Sequence, residues 1–130
     1  MKSILRLFTI ISLLAVFSSC CEKAQTLSVV PYPQDVVIEN GCFDAFGACT
    51  LSKGLTDEET AVVEKFGLLI KEASGGAEKS VDVVFSRDES LAPEEYVIEI
   101  GCRKVKVYSA SYNGTLYAVM TLMQLMPDGV

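Results

Sequence analysis

The sequence predicts an α+β domain: a mostly antiparallel β-sheet with two α-helices packed on one face. Three observations carry that prediction. Residues 81–85, 95–100 and 104–109 switch to a period-two pattern of apolar and polar side chains, as half-buried strands do. Two stretches, 57–74 and 114–126, instead space their apolar residues for a helix. Gly101-Cys102-Arg103 links the last two alternating runs closely enough for a closing β-hairpin, directly before the C-terminal helix.

Met1 to Ser19 reads as an export signal. Lys2 and Arg6 form a positive n-region, and Leu7 to Phe17 form an apolar core too short to span a bilayer. Small Ser18 and Ser19 lead into Cys20, which resembles the lipobox of bacterial lipoproteins, with Cys20 as the lipidated residue. The alternative is an ordinary secretory signal cut near Cys20. Residues 20–28 are then a polar tether and residues 29–130 the domain itself; the mature piece, about 110 residues, is enough for one modest core.

The domain is expected to begin β-rich. Pro31 and Pro33 hold an extended lead-in, and Val36 to Glu39 read as a short strand ending at the Asn40-Gly41 turn. Residues 42–51 read as one or two further strands, with Gly47 at a bulge or bend. The first helix is well punctuated. Thr56 caps it, Glu59 completes a capping box, and Asp57 and Glu58 put negative charge at the positive end of the macrodipole. Val62, Phe66, Leu69, Ile70 and Ala73 form its core face, and Gly75-Gly76 ends it.

The strands follow. Val81, Val83 and Phe85 share one side of "VDVVF", while Tyr96, Ile98 and Ile100 alternate with Val97 and Glu99. Val105 and Val107 alternate with Lys104, Lys106 and Tyr108. Pairing Ile98 with Val107 puts Glu99 opposite Lys106, so apolar matching and charge favour the same register. Ser111 or Asn113 caps the last helix, from about residue 114 to Met126, and Pro127 stops it. Apolar residues at 116, 117, 119, 120, 122, 123, 125 and 126 cover more than one face. A helix apolar nearly all round is buried on more than one side. One sheet covers one side; a second partner is needed for the other.

The chemistry-bearing residues are sparse. The chain has no histidine, which removes His-based triads and the usual general base at neutral pH. Loss of Lys2 and Arg6 takes the formal net charge from −6 to −8, which argues against nucleic acid and anionic membrane surfaces. The adjacent acids Asp57-Glu58 are explained by helix-start electrostatics, and Asp88-Glu89 lie in a polar loop with Ser86, Arg87 and Ser90. Catalysis by either pair is not expected, because acid catalysis on a glycosidic bond needs opposed carboxylates across a cleft. Asn113-Gly114-Thr115 fits a glycosylation sequon but reads as helix-start chemistry. Tyr32, Tyr96, Tyr108, Tyr112 and Tyr117 are candidates for a sugar platform, but scattered tyrosines are more often core-edge or interface residues. For Cys42, Cys49 and Cys102 in an oxidising compartment, a Cys42–Cys49 bridge and unpaired buried thiols both remain open. No metal or cofactor is expected.

Two segments together carry a resemblance. "VVPYPQDVVIENGCF" is similar to the opening of the N-terminal domain of bacterial β-N-acetylhexosaminidases of glycoside hydrolase family 20. "EEYVIEIGCRKVKVYSASYNGTLYAVMTLMQLMP" resembles the same domain's closing hairpin and helix, through Ser109-Ala110, Gly114, Tyr117 and Gln124-Leu125. Related accessory domains precede the barrels of other families, certain α-glucuronidases among them. The resemblance implies a small α+β unit without catalytic residues, placed before a (β/α)8 barrel whose Asp-Glu pair works with the substrate's own N-acetyl group.

Such a barrel takes about 250 residues, and this sequence does not run that far past Pro127. The expectation is therefore an exported, lipid-anchored accessory domain in the periplasm or outer membrane, without the enzyme. Its partner in the family is that barrel, in cis. Leu116, Tyr117, Met120, Met123 and Gln124 are the candidate domain-interface residues, and the isolated chain is expected to self-associate. The rival reading is a stand-alone lipoprotein that binds a glycan or a partner protein.

Overall fold

Each strand and helix forms where local chemistry and burial agree. The computed structural model of the protein describes residues 27–39, 48–75 and 82–126. Along them run β1 (Cys49–Lys53), α1 (Asp57–Ala73), β2 (Asp82–Arg87), β3 (Tyr96–Ile100), β4 (Lys104–Ser109) and α2 (Tyr112–Leu125). The strands form one sheet in the order β1-β2-β4-β3. Both helices pack on one face of it, where α1 supplies Val63, Phe66 and Ile70 to the core and α2 supplies Ala118, Val119 and Leu122. Val83 and Phe85 of β2 and Val105 and Val107 of β4 meet them from the sheet. Phe66 and Phe85 touch edge to face, with ring centroids 6.3 Å apart and planes at 77°.

The sheet is mixed rather than mostly antiparallel. β1 pairs with β2 and β2 with β4 in parallel; only β3 and β4 are antiparallel. The reason lies in the connections. The segment that joins β1 to β2 contains α1, and such a crossover returns the chain to its original direction, whereas the short Gly101–Arg103 link reverses it. The hairpin register is the one that charge and apolar matching favour: Ile98 faces Val107 and Glu99 faces Lys106, with the ion pair at 3.2 Å. Beside Glu99 the Lys106 ammonium is held above its ordinary pKa.

Two further expectations need correction. Val36–Glu39 form no strand, and Val37 and Ile38 stand exposed, so the described N-terminal residues 27–39 are irregular rather than β-rich. Residues 40–47 lie outside the described ones, and with them Gly47 and the Asn40-Gly41 turn. The core face of α1 centres on Val63 instead of Val62, because the buried row is Glu59, Val63, Phe66 and Ile70. Val62 packs at its margin. Val84 is also buried, on the opposite face of the sheet from Phe85, with Leu51 and Lys106 beside it in register.

That buried row begins with an acid. Thr56 and Glu59 form the expected capping box: Thr56 N–H donates to Glu59 Oε2 at 2.7 Å, and Glu59 N–H donates to Thr56 Oγ1. Yet Glu59 is only 1% exposed, and a buried carboxylate needs a cation. Arg87, at the end of β2, supplies it through Nη2. The same guanidinium donates from Nε to Gly54 O at 3.0 Å and from Nη1 to Ala110 O at 2.5 Å. One side chain thus joins the β1–α1 loop, the start of α1 and the β4–α2 loop. Burial alone would raise the Glu59 carboxyl; hydrogen bonds from Thr56 and Arg87 outweigh it and hold the group below its ordinary 4.5.

The start of α2 is fixed by packing. Ser111 caps the helix, its hydroxyl accepting from Gly114 N–H and donating to Pro93 O. Ser109 and Thr115 share a buried hydroxyl hydrogen bond of 2.7 Å, and Thr115 also donates to Ser111 O. Among the described residues no buried side-chain polar atom lacks a partner. A Cβ on Gly114 would stand 2.6 Å from Glu95 O and 3.2 Å from Ser109 Cβ. Glycine is therefore required here by close approach. Gly67 plays a similar part in α1, where a Cβ would stand 2.4 Å from Thr50 Oγ1 of β1.

Two stability outcomes follow from these contacts. Alanine at 114 gains roughly 1 kcal/mol of helix propensity, but the clash with backbone costs about 1–3 kcal/mol. Gly114→Ala should therefore lower the urea midpoint; an unchanged or higher midpoint would contradict the close packing. Arg87→Met leaves Glu59 buried without its cation and should cost about 3–5 kcal/mol at pH 7. Because the folded pKa of Glu59 is depressed, its contribution is present above the ordinary 4.5 and is lost as pH falls through the lower folded value. Glu59→Gln should accordingly flatten the acid limb of a stability–pH curve below about pH 4.5, read by denaturant unfolding at each pH.

Candidate functional site

The two helices present contrasting outer faces. α1 turns Glu58, Glu64, Lys65, Lys71 and Glu72 outward, around a single exposed large apolar residue, Leu68. That is an ordinary solvent-facing helix surface. α2 has no charged residue in "YNGTLYAVMTLMQL". Its inner face, Gly114, Thr115, Ala118, Val119, Thr121 and Leu122, is buried against sheet and α1. Its outer face carries Tyr117 at 40% exposure, Met120 at 52% and Met123 at 41%. These lie three residues apart and so form one stripe along the helix.

Of the five candidate interface residues, Tyr117, Met120 and Met123 stand together on that stripe. Leu116 is half-buried beside it. Gln124 is exposed, but its amide is engaged: Oε1 accepts from Val30 N–H at 2.8 Å and Nε2 donates to Val30 O at 3.1 Å. The sequence-based reading missed this contact, 94 residues apart along the chain, and it also missed Tyr112 and Leu125 as exposed apolar positions. A lone amide inside an apolar run was the available signal. Cys20, the candidate lipidation site, lies outside the described residues.

The other candidates are dispersed. Asp57 and Glu58 are exposed in the first turn of α1, facing solvent. Asp88 is closed into a turn by Ser90, whose hydroxyl and N–H donate to Oδ1 at 2.6 and 3.0 Å and lower its pKa. Tyr96 donates to or accepts from Thr121 at 2.7 Å and packs against the core, whereas Tyr108 lies on the opposite face of the sheet and Tyr32 on the N-terminal segment. The tyrosines do not converge on one platform. Cys49 and Cys102 are free, exposed thiols, and Cys42 is outside the described residues. Asn113 is exposed in the first turn of α2, while Thr115 of the same sequon is buried and hydrogen-bonded, as helix-start chemistry requires.

What the described residues offer is therefore a surface: an uncharged helix face flanked by a pinned N-terminal segment. Comparison with curated proteins gives no match. Comparison with protein families does: the model of glycosyl hydrolase family 20, domain 2, matches residues 26–129. That span covers both helices, all four strands and the N-terminal segment held by Gln124. On that match the chain belongs to the domain 2 family of glycosyl hydrolase family 20, a non-catalytic accessory domain.

Proposed function

We propose that this chain serves as the support of a (β/α)8 catalytic barrel that removes terminal N-acetylhexosamine residues, and that it docks through the outer face of α2. The observation that carries the reading is the contrast between the two helices. In one small domain, α1 shows a normal charged outer face, and α2 leaves Tyr117, Met120 and Met123 uncovered with no charge among them. Domain 2 of family 20 occurs in cis with a catalytic domain, which provides the covering partner. Covering the half of each methionine that is still exposed would contribute about 0.8–1.5 kcal/mol. Thioether side chains adapt to an irregular opposing surface, which suits a docking patch.

The same reading has the domain exported and lipid-anchored in the periplasm or outer membrane. Its support is in the sequence: Lys2 and Arg6, the apolar run 7–17, and Ser18-Ser19 before Cys20. Mass spectrometry of the membrane fraction tests it. A diacylated Cys20 at the mature N-terminus is the expected species, and an unmodified soluble N-terminus refutes it.

The purified chain should release no chromophore from a chromogenic N-acetylglucosaminide, and measurable release would refute the accessory role. Isolated from a barrel, it should self-associate and bind a hydrophobic dye. Met120→Asp with Met123→Asp should restore a monomer and abolish dye binding. Folding stability should fall by about 1–2 kcal/mol, since both side chains are half exposed and aspartate is a poorer helix former than methionine. A wild-type chain that is monomeric and dye-negative at high concentration in light scattering would overturn the docking face.

A further inference from the structure

We infer that Gln124 is a positioning residue that makes the docking surface two-part: it fixes the segment around Val30 as a second apolar wall beside the α2 stripe. The inference rests on the docking reading above and specifies what the catalytic barrel would meet. Val30 offers one N–H and one C=O, and the Gln124 amide engages both, at 2.8 and 3.1 Å. A side-chain amide has one acceptor and two donors, so it reproduces the pairing that a neighbouring strand would give. The Val30 side chain gains nothing from this within the domain: it remains 79% exposed, next to buried Val29 and two residues from exposed Tyr32. Gln124 follows Met123 directly and lies one helical turn from Met120, so the clamp sets Val30 at the end of the uncharged stripe. Holding an apolar segment in place before a partner arrives removes ordering entropy from the docking step.

Two measurements test this separately from the docking reading itself. In the free chain, the Val30 amide should exchange with solvent roughly tenfold faster in Gln124→Ala than in wild type, the scale of one net hydrogen bond. Equal rates overturn the clamp. The second measurement uses the chain fused ahead of a family 20 barrel produced without its own domain 2, with the barrel's melting midpoint as the readout. Met120→Asp, Val30→Asp and Gln124→Ala should each lower that midpoint. Val30→Asp combined with Gln124→Ala should lower it no further than Val30→Asp alone, a non-additivity that a merely structural role for Gln124 would not produce. If Met120→Asp lowers the midpoint and the other two leave it unchanged, docking stands and the two-part surface is wrong. If all three leave it unchanged, the docking reading itself fails.

Discussion

The fold turns on one guanidinium. Arg87 closes β2, and from there it reaches the carbonyl of Gly54, the buried carboxylate of Glu59 and the carbonyl of Ala110. Those groups belong to two connections and the start of a helix, and the Glu59 carboxylate among them is buried. A parallel sheet brings them together. Its strands end at the same side, and the loops that follow them crowd together there, with helix starts and unpaired carbonyls in one place. A planar cation with five donors meets such a cluster in a way that a lysine cannot. With Arg87 in place, the start of α1 and the approach to α2 hold fixed positions over the sheet.

Fixing both helix starts also fixes which faces are left outward. α1 was already amphipathic, so its exposed side is charged whatever lies beyond it. α2 carries apolar residues nearly all round, and its orientation is set by small side chains and hydroxyls: Gly114 against Glu95, Thr115 with Ser109, Thr121 with Tyr96. Once those contacts are made, Tyr117, Met120 and Met123 have nowhere to point but outward. The functional reading grows from that constraint. The same packing that satisfies the inner face produces the surface offered to a catalytic domain.

Much of this was legible in the residues. The capping box at Thr56 and Glu59 is visible because capping is local, and it needs only three residues of separation. The β3–β4 register is visible for the same reason: a short link, alternating side chains and the Glu99–Lys106 pair leave one arrangement. Arg87 was hidden among loop residues, since nothing in its neighbourhood shows that Gly54, Glu59 and Ala110 will converge on it. Val36–Glu39 misled in the opposite direction. Its composition suits a strand, but a strand exists only through a neighbour, and among the described residues it has none. The parallel pairings were missed because strand direction depends on what the connection does in space.

The sequence by itself determined the α+β class, the two helices with their stop signals and the closing hairpin. These rest on periodicity, turn chemistry and capping, which act over a few residues. Only the tertiary structure decided strand order, the role of Arg87, the glycine at 114 and the engagement of Gln124 with Val30. Each of these joins segments far apart in the chain, and such contacts follow from how the elements pack against one another, which local propensity does not encode.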